Sequence, residues 1–135
     1  MDTKQFVYHI KYCYPNLVDV YVKNGDYIVA QMNFGFKGNK CNLFVIHVED
    51  QYRRLGISSK MLQILENECY NENVNVIEGR YWPENENAQF MYEKNGYSIY
   101  EDGNEKYIVK VGISTYDVSD LDIVMHNEDL KALDV

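Results

Sequence analysis

The sequence predicts a mixed α/β (α+β) fold, a mixed β-sheet with helices packed on it, and three observations carry that prediction. Stretches rich in β-branched and aromatic residues fill the first part of the chain. A helical apolar period takes over at Ile57. The order that results, several strands, a helix, a strand, a short helix and a closing hairpin, alternates the two element types as a layered sheet-and-helix domain does. With 135 residues, of which 46% are hydrophobic, the chain is sized for a single core.

Residues 6–14 (FVYHIKYCY) and 17–23 (LVDVYVK) read as strands separated by Pro15-Asn16. Asn24-Gly25 is a tight-turn dipeptide because both residues tolerate positive φ, and residues 27–36 follow as the return strand. Residues 35–42 read as a glycine-bearing loop, and 43–49 (LFVIHVE) as a central strand covered on both faces. Ile57, Met61, Leu65 and Cys69 recur at helical spacing to about Tyr70, with Lys60, Gln63, Glu66 and Glu68 on the opposite, solvent side. Residues 74–82 form a strand closed by Pro83. Asn85 caps a short helix that runs through Lys94 and stops at Asn95-Gly96. Residues 97–101 and 106–111 flank Asp102-Gly103-Asn104 as a hairpin. Residues 1–112 thus form the domain proper, and 113–135 an acidic extension packed on it or trailing from it, with a short helix from about Asn127.

Formal net charge is -8 with a pI near 4.8, a surface that repels nucleic-acid phosphates and anionic lipid and attracts cations. No window approaches the roughly 20 apolar residues of a membrane span. Neither nucleic acid nor membrane is therefore an expected partner, and the residues at the start carry no secretory pattern, so the cytoplasm is the expected compartment. Cys13, Cys41 and Cys69 have neither disulfide-framework nor zinc-site spacing and read as inert packing thiols; no metal is expected.

The chemistry concentrates in residues 48–59, VEDQYRRLGISS, where a strand runs into a basic, glycine-containing turn that opens a helix. Backbone N–H groups at a helix start lack partners, the helix dipole adds positive potential, and Gly56 lets a phosphate approach the backbone. Arg53, Arg54 and Lys60 cluster there in an otherwise acidic chain. An exposed basic turn ahead of an ordinary helix is the plain alternative.

The run Arg53-Arg54-Leu55-Gly56-Ile57-Ser58 resembles the Arg/Gln-x-x-Gly-x-Gly/Ala signature of the GNAT superfamily of N-acetyltransferases, and Asn85-x-x-Ala88-x-x-Met91-Tyr92-Glu93-Lys94-Asn95-Gly96-Tyr97 resembles a second motif of that family. The resemblance covers about residues 17–111. It implies a central mixed sheet with splayed middle strands, acetyl-CoA as donor and an amine as acceptor, cationic in view of the chain's charge, in a monomer or homodimer. Carried over by position, it implies that Arg53, Arg54, Leu55, Gly56, Ile57, Ser58 and Ser59 hold the pyrophosphate. Ile46 and Val48 pair with the pantetheine arm, Asn85 bonds the same arm, and Tyr92 protonates the leaving thiolate. Glu49 and Glu78 are the candidates for the base that deprotonates the amine, or a water chain serves instead; His47 on its strand reads as a core residue. The chain departs from the pattern in three places: Ser58 replaces Gly or Ala, Arg80 stands where some members have glutamate, and Pro15-Asn16 alone joins strands between which the family has two helices. These departures keep a second reading open, a catalytically silent acyl-CoA-binding or protein-binding module.

Overall fold

The computed structural model describes residues 5–81 and 86–126. Eight strands form one sheet in the order β6-β7-β5-β4-β3-β2-β1-β8. Strands β1 (Phe6–Cys13), β2 (Leu17–Asn24), β3 (Tyr27–Lys37) and β4 (Lys40–Val48) make an antiparallel meander joined by tight turns. The expected loop over 35–42 is in fact strand on both sides of a turn at Gly38. Gly35 sits in the ladder opposite Leu17 and Asn42 because its bare Cα makes room for two neighbours: a Cβ there would meet Leu17 Cδ2 at 2.9 Å and Phe44 Cε2 at 3.1 Å.

Strand alternation sorts the residues into two unlike faces. Val18, Val20 and Val22 of β2 and Ala30, Met32 and Phe34 of β3 are buried, whereas Asp19, Tyr21, Lys23, Gln31 and Asn33 point the other way. Both α1 (Ile57–Asn71) and α2 (Glu86–Lys94) pack on the buried face, where the Asn95 side chain beyond α2 donates to Ser59 of α1 at 3.2 Å. Among the described residues no helix packs on the opposite face, because the β1–β2 connection is only a turn.

Strand β5 (Val76–Tyr81) runs parallel to β4, but their pairing ends at Leu43 opposite Gly79. The same point carries a β-bulge: Asn33 pairs with Val45 and Phe34 with Leu43, leaving Phe44 as the extra residue. Beyond it the two strands part. Phe44 and Val45 are therefore exposed, against the expectation of a strand covered on both faces. Antiparallel β6 (Ser98–Asp102) and β7 (Glu105–Val111) complete that end of the sheet.

Helix α1 buries Ile57, Met61, Leu62, Ile64, Leu65 and Cys69, as its period requires. It also buries Glu66, at 1% exposure, which the period assigns to solvent. The correction comes from tertiary partners: Lys110 Nζ lies 2.9 Å from Glu66 Oε1, and the Tyr97 and Tyr116 hydroxyls donate to the same carboxylate at 3.3 and 3.4 Å. Cys41 and Cys69 are buried thiols of the same core.

The acidic extension contributes a strand that its composition conceals. Residues 113–121 cross α1, where Asn67 Nδ2 donates to the Tyr116 carbonyl and the Tyr116 N–H donates to Asn67 Oδ1, at 2.9 and 2.8 Å. Strand β8 (Asp122–His126) then pairs in parallel with β1 at the sheet edge. The helix expected from Asn127 lies outside the described residues. Among the described residues, no helix is long and apolar enough to cross a membrane and no group of three or more His, Cys, Asp or Glu is placed to hold a metal ion.

A side-chain bond also joins β8 to β1: His9 Nδ1 and His126 Nε2 lie 2.9 Å apart with the rings tilted by 22°. Such a bond needs one donor and one acceptor nitrogen, so it is lost when both rings are protonated. Burial first, then His126 and Lys23, pull the His9 pKa below its ordinary value, with Asp122 opposing. The folded state thus binds fewer protons here than the unfolded one, and this contribution to stability falls as pH drops through about 6.5. Protection of the β8 amides, relative to their intrinsic exchange rates, is expected to fall selectively between pH 7 and 5, and His126→Gln is expected to weaken that pH dependence while leaving the part due to burial of His9.

Candidate active site

The splay opens a cleft of about 1210 Å³ between β4, the start of α1, the end of β5 and α2. Past Phe44, β4 has lost β5 as its partner, and its unpaired edge runs along this cleft through Ile46 to Val48. At the far end the chain makes a single 3-10 turn over Asp50–Tyr52 and reaches α1 through two left-handed residues, Arg54 (φ 66°) and Gly56 (φ 81°).

No side chain caps α1 and no acidic residue lies in its first turn, so the helix start faces the cleft with its donors and positive dipole end uncompensated. A Cβ on Gly56 would have nothing within 4 Å, so the backbone is open at this point. Arg53, Arg54, Gly56, Ile57, Ser58 and Ser59 line this end, while Leu55 turns inward against the core. The two arginines differ in their bonds. Arg53 Nε donates to the Val48 carbonyl at 3.2 Å and Nη2 pairs with Asp50 at 3.0 Å, so Arg53 fixes the turn, whereas Arg54 is exposed at its outer side.

Tyr92 closes the inner wall. It is 3% exposed, with its ring centroid 5.6 Å from that of Tyr81 and 5.8 Å from that of Tyr97. Burial above all, and Tyr81 beside it, push its hydroxyl above the ordinary tyrosine value of 10.0, so it stays protonated at neutral pH.

The two candidate bases lie outside the cleft lining. Glu49 is exposed and pairs with His47 at 3.6 Å. Glu78 faces the open side of the sheet opposite Asn42, 3.2 Å from Lys40 Nζ. His47, expected in the core, is about half exposed and lines the cleft, because β5 has left its side by that point. Asn85 lies outside the described residues. The described part of the extension, residues 113–126, does not line the cleft.

The structure adds Asn87 and Phe90, which the motifs do not name, to Met91 and Lys94, to which the second motif gives no role. Phe90, 71% exposed, and Lys94 reach the cleft from α2 together with Asn87 and Met91, at helical spacing i, i+3, i+4, i+7. That spacing is visible in the sequence, but which face of α2 turns to the cleft is decided by Tyr92 and Tyr97 packing against the core.

A family model described as "Acetyltransferase (GNAT) family" matches residues 4–97. No curated protein sequence matches the chain. Among solved structures, the PaiA N-acetyltransferase of Thermoplasma acidophilum in complex with coenzyme A is similar at a TM-score of 0.67 and 15% identity, over 71% of this chain and 61% of that one. The ribosomal-protein-S18-alanine N-acetyltransferase of Escherichia coli gives 0.63 and 20% over 78% and 75%. Ard1 of Thermoplasma volcanium gives 0.63 and 16% over 71% of each chain. At these identities the likeness is one of fold, and the chain spans less than two thirds of the PaiA protein's length.

Proposed function

The chain belongs to the GNAT acetyltransferase family, and from that premise we propose that it transfers an acetyl group from acetyl-CoA to a primary amine by direct attack of the amine in a ternary complex. The observation that carries this reading is the junction of two unsatisfied backbone features in one cleft: the free edge of β4 and the uncapped start of α1. The first suits an extended amide-containing arm through main-chain pairing at Ile46 and Val48. The second suits a diphosphate, held by the backbone of residues 54–59 with Arg54 alongside and Lys94 facing the cleft from α2. As the C–N bond forms and the C–S bond breaks, Tyr92 at the inner end donates a hydrogen bond to the departing sulfur, and the proton that the amine loses passes through water to the thiolate. The net charge of -8 favours a cationic acceptor.

One observation favours a silent acyl-CoA-binding module instead, namely that neither Glu49 nor Glu78 reaches the cleft. Release of free thiol from acetyl-CoA in the presence of lysine-bearing peptides or polyamines separates the two readings. Binding without release supports the silent module.

Gly56→Asp tests the donor site itself. It places a carboxylate where the phosphates are expected and is expected to weaken coenzyme A binding by at least tenfold in calorimetry. Gly56→Asn, neutral and tolerant of left-handed φ, is expected to retain most of the affinity. Equal binding by the aspartate variant and the wild type would remove the assignment. Wild-type affinity is also expected to fall with added salt as the cations are screened.

A further inference from the structure

We propose that the open face of the sheet is the docking surface for the acceptor, that its centre is the hollow at Glu78, and that the acceptor is a lysine side chain carried on a basic segment of another protein. This rests on the acyltransferase reading above and names the substrate class for the same site.

The hollow, of about 400 Å³, lies where β4 and β5 part. It shares Phe44 and Arg80 with the large cleft, so a group seated in it adjoins the cleft's inner end. Its carboxylate already holds an alkylammonium, for Lys40 Nζ lies 3.2 Å from Glu78 Oε1. That pair is exposed at the lysine side chain, 55%, and partly exposed at Glu78, 34%, and pairs near the surface are worth only about 0–1 kcal/mol. An incoming ammonium can therefore take the place of Lys40 at little cost, and it gives its proton to water before the neutral nitrogen attacks the thioester. Arg80 does not repel it, since its guanidinium is neutralised by Glu105 at 3.2 Å. The walls suit the aliphatic stem of a lysine: Tyr100 and Tyr107 stack with centroids 5.1 Å apart and planes 14° apart, and Phe44 is 55% exposed. Aromatic faces take both methylene stems and ammonium groups.

The breadth of the surface selects a protein over a small amine. Sites for small molecules enclose most of the ligand, but this hollow lies on a sheet face over which no described helix packs. Its apolar lining continues outward through Leu17 and Val45, both about half exposed, where Leu17 and Phe44 meet over Gly35. A continuous exposed patch of this kind marks a macromolecular contact, and the chain's negative charge favours a basic one.

The test uses the full chain with two probes, a lysine-rich peptide and spermidine, and with the same peptide carrying norleucine in place of lysine as control. Glu78→Gln is expected to raise the peptide KM about two- to fivefold with acetyl-CoA affinity unchanged. Lys40→Met, which removes the internal competitor, is expected to lower the KM two- to fivefold. A fall in kcat with unchanged KM in Glu78→Gln would make Glu78 a base and overturn its role in binding. Unchanged peptide KM in both variants, or spermidine saturating at lower concentration than the peptide, would overturn the proposal. Peptide titration into the coenzyme A complex by calorimetry reads the surface independently of turnover. Peptide affinity lost in Glu78→Gln supports the docking site even without chemistry, whereas absence of acetyl-CoA binding defeats the acyltransferase reading instead.

Discussion

Tyr92→Phe is expected to lower kcat by about 10²- to 10⁴-fold, the usual loss for a positioned general acid, while acetyl-CoA affinity and melting temperature stay near wild type. The substitution keeps the ring and therefore its packing against Tyr81 and Tyr97. Burial, and Tyr81 after it, raise the hydroxyl above its ordinary range. Complete proton transfer to a thiolate of ordinary pKa near 8.5 is consequently uphill. The hydroxyl contributes most as a hydrogen bond that strengthens while charge develops on sulfur, an interaction absent in the ground state. The raised pKa also predicts that Tyr92 causes no alkaline fall in rate below about pH 10. A well-folded Tyr92→Phe protein with wild-type kcat under chemistry-limited conditions would end this role, and a lowered melting temperature with normal kcat would make the residue purely structural.

Lys110→Met is expected to destabilise the fold by about 3–5 kcal/mol, because it leaves the Glu66 carboxylate buried without its cation. Burial alone would lower the Lys110 pKa, yet hydrogen bonding to Glu66 and the charge of Glu66 outweigh it and the ammonium is held above its ordinary value. Against a total stability of about 5–15 kcal/mol for a domain of this kind, such a loss is expected to lower the melting temperature by roughly 10 °C or more. Adding Glu66→Gln is expected to restore most of it, since a neutral amide still accepts from the Tyr97 and Tyr116 hydroxyls. Equal denaturant midpoints for Lys110→Met and wild type would show that the pair contributes nothing to stability.

The open sheet face distinguishes this chain from a fully covered sheet, and its origin is readable in few residues. Pro15-Asn16 permits only a turn between β1 and β2, so the absence of a helix there is a matter of chain length. What covers the sheet edge is less readable. Strand β8 has the composition of a solvated tail, with Asp122 in the strand and Asp117 and Asp120 before it, and it is held by ladder hydrogen bonds to β1 and by half-buried Leu121 and Ile123. Backbone pairing of this kind leaves no periodic trace in five residues.

Local patterning alone determined the parts of the protein whose cause is local. The period of α1, the turn at Asn24-Gly25, and the open, basic, uncapped helix start at residues 53–59 follow from side-chain spacing, positive-φ residues and the lack of a capping side chain. Tertiary structure decided everything that depends on what stands opposite a residue. The bulge at Phe44 and the parting of β4 from β5 turned an apolar run into a cleft wall, placed His47 in that cleft and left Glu78 on the other face. Lys110, Tyr97 and Tyr116 carried Glu66 from the expected surface into the core. The physical reason is common to these cases: periodicity records which side of an element a residue occupies, while exposure and charge partners belong to the element packed against that side, which for Glu66 comes from up to 50 residues away.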